Sequence, residues 1–126
     1  MDDCPVDVSR VRAFLREKRQ RKAVERKRLL EQARNDAERI LERMVREVGP
    51  TRIYQWGSLL TGAHFSEISD IDFAIEGLSG PPEYFRVLGI AMEETTFRVD
   101  IIELEKVDPE TRERIIRRGR LVYERE

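Results

Sequence analysis

Two aspartates one residue apart, Asp70 and Asp72, are the residues of this sequence whose type and spacing best suit chemistry. They begin an apolar run, and successive strand side chains point to opposite faces, so both carboxylates would share one face of a strand over 70–76. Ile71 and Phe73 would then face the core. Adjacent carboxylates repel each other unless a cation lies between them, and Mg²⁺ prefers hard oxygen ligands of this kind. The spacing therefore predicts a divalent metal site.

A third carboxylate, Asp100, stands in the middle of the apolar run 97–104. Burying a charge is costly unless the charge is paired, so an acid at the centre of such a strand indicates a partner or a metal ion. Beside Asp70 and Asp72, it would complete a three-carboxylate site for two metal ions. An isolated Asp-x-Asp is common in loops, so the prediction depends on the residues around the pair.

A Gly-Ser pair, Gly57-Ser58, ends a first hydrophobic run, Arg52–Trp56, and 11 residues separate Ser58 from Asp70. Gly-Ser, a spacer, Asp-x-Asp between hydrophobic residues and a later hydrophobic-Asp-hydrophobic strand together resemble the pattern of the polymerase-β-like nucleotidyltransferases. The short form, with Ser69 directly before the first aspartate, looks like the minimal nucleotidyltransferases of bacteria and archaea. The resemblance begins at about residue 51 and continues to the C-terminus.

The resemblance implies a fold, an activity and roles for the site residues. The fold would be α+β, a nucleotidyltransferase fold with a small mixed β-sheet, flanking helices and a long N-terminal helical segment. Two Mg²⁺ ions and a nucleoside triphosphate, with ATP as the leading choice, would bind. The implied catalytic and metal-binding residues are Asp70, Asp72 and Asp100, and the implied nucleotide-binding residues are Gly57 and Ser58.

The partner implied by the resemblance is a small helical HEPN protein. The leading hypothesis is an antitoxin that transfers AMP from ATP to a tyrosine hydroxyl of a HEPN toxin. The toxin would be another chain, because the only histidine, His64, cannot form the HEPN signature Arg-x(4–6)-His. About 75 residues follow the N-terminal helix, and the nucleotidyltransferase fold needs nearly all of them. We therefore expect another chain or that helix to hold the acceptor.

The residues after Ser58, Leu-Leu-Thr-Gly-Ala, depart from the family pattern, in which many minimal members carry a basic residue there. This departure leaves a second hypothesis open, a catalytically weak binding module that neutralises its partner by contact. A third hypothesis is a nucleotidyltransferase for a small molecule or RNA that works as a homodimer. The sequence does not name the acceptor or the preferred base.

The 126 residues predict one catalytic domain with a helical extension. Residues 7–48 contain no Gly or Pro and Gly49-Pro50 ends them, so we expect one or two helices in an extension over 1–48, before a catalytic domain over 49–126. Further patterns predict the following elements: strands over 52–56, 70–76, 97–104 and 121–123; a loop over 77–82; and helices over 83–94 and 109–118, the last capped by Asp108.

Charge is unevenly distributed along the chain. The net charge of −1 provides no uniform basic field and disfavours a nucleic-acid partner. Residues 1–48 nevertheless carry 14 basic and 10 acidic side chains, and residues 49–126 carry 10 and 15. Eight cations and two acids fall within 16–28, as on a solvated helix face. A partner protein, an RNA contact or a second copy of the chain remains the alternative for this segment.

The cellular location predicted from the sequence is the cytoplasm. The single cysteine, Cys4, cannot form an internal disulfide, which suits a reducing compartment. No apolar run approaches the roughly 18 residues that a membrane-spanning helix needs, so no membrane contact is expected. The N-terminus is acidic and polar, unlike a signal peptide.

Overall fold

A computed structural model describes residues 7–62, 65 and 69–126, and these form a mixed sheet with helices on both faces. The helices are α1 (Val8–Glu47), α2 (Ser58–Thr61), α3 (Pro81–Glu94) and α4 (Pro109–Arg118), with a 3₁₀ turn over Leu104–Lys106. The strands are β1 (Arg52–Trp56), β2 (Ile71–Glu76), β3 (Val99–Glu103) and β4 (Arg120–Glu124). Cys4 and His64 lie outside the described residues.

The four strands follow the order β3-β2-β1-β4. Strand β1 is antiparallel to both β2 and β4, whereas β2 and β3 are parallel. A parallel pair needs a crossover, and α3 supplies it between β2 and β3. The predicted α+β architecture with a small mixed sheet is confirmed.

Helix α1 is one uninterrupted helix of 40 residues, which answers the question that the sequence left open. The Asp7 carboxylate caps its start by accepting the backbone N–H groups of Ser9 and Arg10. Residues 8–28 are exposed on all sides, whereas Ala33, Ala37, Ile40 and Met44 are buried against the sheet. No described helix is both long and apolar enough to cross a membrane.

The sheet buries a different cluster on each face. On one face, α1 and α3 cover the main core, which includes Ile53, Phe73 and Ile101. On the other face, Ile115 of α4 packs with Ala74 and Leu104, beside Tyr54 and Trp56. Because strand side chains alternate, the residues next to Phe73 and Ile101 belong to the second face. That second face carries the acidic residues.

Element boundaries differ from the prediction where a local signal was misinterpreted. Pro81 and Pro82 begin α3 instead of ending the preceding loop, because proline fits the first turn of a helix. Strand β2 begins at Ile71, so Asp70 lies just before it. Strand β3 covers only Val99–Glu103 of the predicted run. The predicted cap of α4 is confirmed, since the Asp108 carboxylate accepts the Thr111 backbone N–H at 3.1 Å.

Candidate active site

Trp56, Asp72 and Asp100 form a row across three neighbouring strands. Asp72 is the register partner of Trp56 in β1 and of Asp100 in β3. Register partners on adjacent strands point to the same face of a sheet, so the two carboxylates lie side by side on the second face. The predicted pairing of Asp72 with the later aspartate is present in the fold.

The Asp72 carboxyl has a raised pKa of about 6. Burial is the largest cause, and the negative charges of Asp100 and then Asp70 raise it further. No described residue forms an ion pair with Asp72 or Asp100. The structure therefore concentrates negative charge at the half-buried Asp72, an arrangement that a bound cation would relieve.

Asp100 differs from the sequence-based expectation in its burial. The apolar neighbours Val99 and Ile101 predicted a buried acid, but Asp100 is exposed. The physical reason is position, because β3 is an edge strand and the carboxylate points away from the core that α1 and α3 cover. The expectation of burial was wrong for Asp100, and the half-buried member of the pair is Asp72.

Asp70 lies at the end of the loop that leads into β2 and faces Arg98. Its Oδ1 atom is 3.5 Å from Arg98 Nε, while the backbone N–H of Ile71 donates to the Arg98 carbonyl at 2.8 Å. Oδ1 is buried and has no hydrogen-bond partner in the described part of the chain. Arg98 was not predicted as a site residue, although the period of two that aligns it with Asp100 in the predicted strand 97–104 could have indicated it.

Gly57 brings the chain against the Asp72 carboxylate. Its φ of +82° is a conformation that other residues rarely adopt. A Cβ atom at this position would overlap Asp72 Oδ2. Both constraints demand glycine, and the Gly-Ser turn therefore lies directly beside the acidic row. Ser58 begins α2, which is a single turn, so the helix dipole at this position is small.

The carboxylate chemistry fits a hard divalent cation such as Mg²⁺. Asp70 Oδ1 is buried without a hydrogen-bond partner in the described part of the chain, and the pKa of Asp72 is raised, so a bound cation would stabilise both carboxylates. Carboxylate oxygens are the ligands that Mg²⁺ takes. Within residues 7–62, 65 and 69–126, however, no three acidic, histidine or cysteine side chains are arranged to ligate one ion. The aspartates of the site therefore suit Mg²⁺ chemically, and their side chains would have to rotate to complete its coordination.

Trp56 lies on the acidic face, packed beside the cluster of Ala74, Leu104 and Ile115. This contact makes Trp56 a packing residue of the second face. Its indole Nε1 is buried without a hydrogen-bond partner among the described residues. The side chain forms one wall of the acidic row and contributes apolar surface there.

A cavity of about 640 Å³ lies elsewhere, on the face that α1 covers. Gln55 and Phe73 line it, and these residues point to the face opposite Trp56 and Asp72. None of the predicted site residues lines it. The acidic row therefore lies on the opposite face of the sheet from this cavity.

Comparisons with known proteins address the fold and the family. The family model described as polymerase beta, nucleotidyltransferase, matches residues 38–126. This chain belongs to that nucleotidyltransferase family. The structure also resembles a solved one described as "Structure of putative minimal nucleotidyltransferase", with 26% sequence identity and a TM-score of 0.60. The similarity covers 71% of this chain and 92% of the other. A comparison with curated proteins gives no match.

Membership of the nucleotidyltransferase family supports generic nucleotidyl transfer by this domain. The family typically uses a nucleoside triphosphate and a divalent metal ion. The acidic row and the Gly-Ser turn are the parts of the described chain that suit those two ligands. The matched residues begin at 38, inside α1, so the first thirty residues of that helix, Val8–Ala37, precede the family domain.

Proposed function

We propose that this nucleotidyltransferase transfers AMP from ATP to a tyrosine hydroxyl on a small helical HEPN toxin and thereby acts as its antitoxin, in the cytoplasm. The observation that supports the transfer chemistry is the close approach of Gly57 to Asp72, within an acidic row that Asp100 extends. The backbone of the Gly-Ser turn thus lies directly beside the carboxylates that would hold the metal ions.

Three aspartates would hold two Mg²⁺ ions in this proposal. When bound, the ions neutralise phosphate charge and stabilise the attacking and leaving oxygens. Asp70 and Asp72 would ligate both ions, and Asp100 would ligate the one beside the acceptor and take part in removing the hydroxyl proton. The exposure of Asp100 suits this role, because an incoming protein hydroxyl must reach it from solvent. The attacking oxygen forms a bond to the α-phosphorus, and pyrophosphate leaves.

The Gly57-Ser58 turn would hold the β- and γ-phosphates. Glycine lets the backbone approach phosphate closely because it has no Cβ, and the Ser58 hydroxyl and following N–H groups are the donors. Described residues 57–62 contain no cationic side chain. Among the described ion pairs, Arg98 is the cation that contacts a site aspartate; it is 82% exposed and lies 3.5 Å from Asp70.

The packing of the described residues supports a partner protein as the acceptor. The sheet, α3, α4 and the second half of α1 form one packed body, and no separate acceptor-binding unit occurs among the described residues. The structural neighbour described as a putative minimal nucleotidyltransferase is matched over 92% of its own length. An acceptor supplied by another chain agrees with this compact arrangement.

The test uses purified protein, Mg²⁺ and ATP labelled at either the α- or the γ-phosphate, with and without the product of a neighbouring HEPN reading frame. AMP transfer requires that the α-label, and not the γ-label, becomes attached to the partner. Asp70→Asn/Asp72→Asn should abolish labelling. Glu110→Gln/Glu113→Gln is the matched control, because it removes two exposed acids from α4 and should label normally.

A second candidate is a binding module that neutralises its partner by contact. The observation that favours it is the lack of a cation in residues 57–62 and of three described side chains arranged to ligate an ion. Complex formation with no label from any nucleoside triphosphate, and full neutralisation by Asp70→Asn/Asp72→Asn, would establish this function instead. Labelling of an RNA or a small molecule, with none on protein, would establish the third hypothesis.

A further inference from the structure

The exposed first half of α1, residues 8–28, carries a concentrated positive charge. We call it the basic arm. It contains ten arginines and lysines and two glutamates, although the whole chain has a net charge of −1. Every residue of the arm is exposed, and the family match begins only at residue 38. At about 1.5 Å per residue, the arm extends roughly 30 Å.

The cations of the arm are mostly without ion-pair partners. Among the described ion pairs, Arg10 contacts Asp7 at 3.7 Å and Arg28 contacts Glu25 at 2.7 Å. The other eight cations of the arm contact no described acid. In α4, by contrast, Arg112 pairs with Glu76 at 3.2 Å, and Arg114 and Arg117 each lie within 4.0 Å of a glutamate one turn away.

The arm is also self-repulsive along the helix. Like charges three or four residues apart are neighbours on a helix and destabilise it. Such pairs recur from Arg12 to Arg16, from Arg16 to Arg19, from Lys18 to Lys22 and from Lys22 to Arg26. A polyanionic ligand would remove this repulsion, whereas water only screens it. The charge pattern therefore points to an anionic partner with many closely spaced charges.

The distribution of the charges around the helix distinguishes between anionic partners. Each residue turns a helix by about 100°, so residues two apart lie on nearly opposite sides. Arg16 and Lys18 are such a pair, and Arg26 and Arg28 are another. A helix on a membrane surface segregates its cations to one face. Cations on every side suit a helix that lies in a groove, with phosphates along both walls.

We propose that the basic arm binds the phosphate backbone of duplex DNA. The major groove of duplex DNA is about 12 Å wide and admits an α-helix, and the arm matches roughly one helical turn of about 34 Å. The N-terminal end of the arm also carries four exposed apolar side chains, Val8, Val11, Phe14 and Leu15. This inference concerns binding alone and does not depend on nucleotidyl transfer.

The experiment measures fluorescence anisotropy of a labelled 20-base-pair DNA duplex and a labelled RNA hairpin with the full-length protein. Binding of the DNA duplex at 150 mM salt is expected to be tighter than binding of the RNA hairpin, with affinity falling linearly on a log–log salt plot. Arg16→Gln/Arg19→Gln/Lys22→Gln should weaken binding by at least about tenfold and reduce the salt slope by about 2.7 for duplex DNA if all three contact phosphates.

The matched control is Arg114→Gln/Arg117→Gln/Arg118→Gln, which removes the same charge from the exposed side of α4. Its affinity should stay within about twofold of wild type, and circular dichroism should show equal helix content in all three proteins. Equal weakening by both variants would overturn the proposal. It would also be overturned by no binding of the DNA duplex at 150 mM salt, including the case in which only the RNA hairpin or anionic vesicles bind.

Discussion

Asp72 and Asp100 are register partners on parallel strands, and the pKa of Asp72 is raised to about 6 by burial and by the charges of Asp100 and Asp70. The three aspartates lie close enough together to shift a pKa, and among the described residues they form one ion pair, between Asp70 and Arg98. Such a site is electrostatically unfavourable without a bound cation. The same electrostatics that suits Mg²⁺ should therefore reduce the stability of the metal-free protein.

Asp72→Asn should stabilise the metal-free protein at pH 7. Because the folded pKa of Asp72 is raised, the folded state binds the proton more tightly than the unfolded state does. The protonated Asp72 carboxyl therefore stabilises the folded state fully below about pH 4, and this stabilisation is lost as the pH rises through about 6. We expect the variant to gain about 1 kcal/mol at pH 7 after solvent screening, and nothing near pH 4.

Thermal unfolding between pH 4 and pH 8 in EDTA measures this difference. Adding Mg²⁺ should stabilise the wild type more than the variant and so reduce the difference between their melting temperatures. Asp108→Asn is the control with the opposite sign, since the hydrogen bond from Thr111 lowers the pKa of Asp108. An unchanged or lower melting temperature for Asp72→Asn throughout would contradict the raised pKa.

Local signals were sufficient to predict most of the elements. Strand β1 has the predicted bounds, and the Asp108 cap and the C-terminal edge strand follow from residues within a few positions of each other. Asp70, Asp72 and Gly57 could also be predicted, because their motif lies within one short stretch. The roles of these residues stay predictions until activity is measured.

Other features depend on tertiary arrangement, which sequence patterns do not specify. The exposure of Asp100 follows from the edge position of β3, and the contact of Arg98 with Asp70 follows from the parallel pairing of β2 with β3. The net charge of the whole chain hides the basic arm, because the excess acids of residues 49–126 cancel it, whereas the local charge count over residues 16–28 already indicated it. Only the structure shows that most of its cations lack described partners.

Gly57→Ala should disable the site while leaving the protein folded. The added Cβ would overlap the Asp72 carboxylate, and the φ of +82° would be strained. We expect a loss of about 1–3 kcal/mol of stability and at least about a hundredfold loss of nucleotidyl transfer.

Gly89→Ala is the matched control for Gly57→Ala. It lies within α3, where a Cβ would meet nothing within 4 Å, and it should gain about 0.5–1 kcal/mol. Urea unfolding and labelled ATP measure both properties. Wild-type activity in Gly57→Ala would show that the turn does not need its close approach to Asp72.

Arg98→Gln should tighten divalent-cation binding. The guanidinium lies 3.5 Å from Asp70 Oδ1 and is 82% exposed, so its charge opposes a cation at Asp70 through a well-screened interaction. We expect Mn²⁺ to bind about two- to fivefold more tightly, and nucleoside triphosphate to bind more weakly because a cation near the phosphates is lost.

Isothermal titration with Mn²⁺, with and without a non-hydrolysable triphosphate, separates the two effects of Arg98→Gln. Arg86→Gln is the control of equal charge change, since Arg86 pairs with Glu47 on the surface formed by α1 and α3. Identical Mn²⁺ affinities for the two variants would show that Arg98 acts only through the net charge of the protein.

Two N-terminal truncations should distinguish the contribution of the basic arm to stability from that of the second half of α1, which packs in the core. Removing residues 1–28 takes away only exposed residues among those described, so the melting temperature should change by no more than about 3 °C. Removing residues 1–37 also deletes buried Ala33 and Ala37, and Asp36, whose carboxylate accepts the Thr95 hydroxyl at 2.7 Å.

The longer truncation should lose at least about 3 kcal/mol and lower the melting temperature by more than about 10 °C. Differential scanning calorimetry measures both proteins. Equal stability of the two would mean that the catalytic domain needs no part of α1 before residue 38, where the family match begins. Unfolding by the shorter truncation would instead show that the basic arm packs on the domain, and its cations would then have partners within the chain.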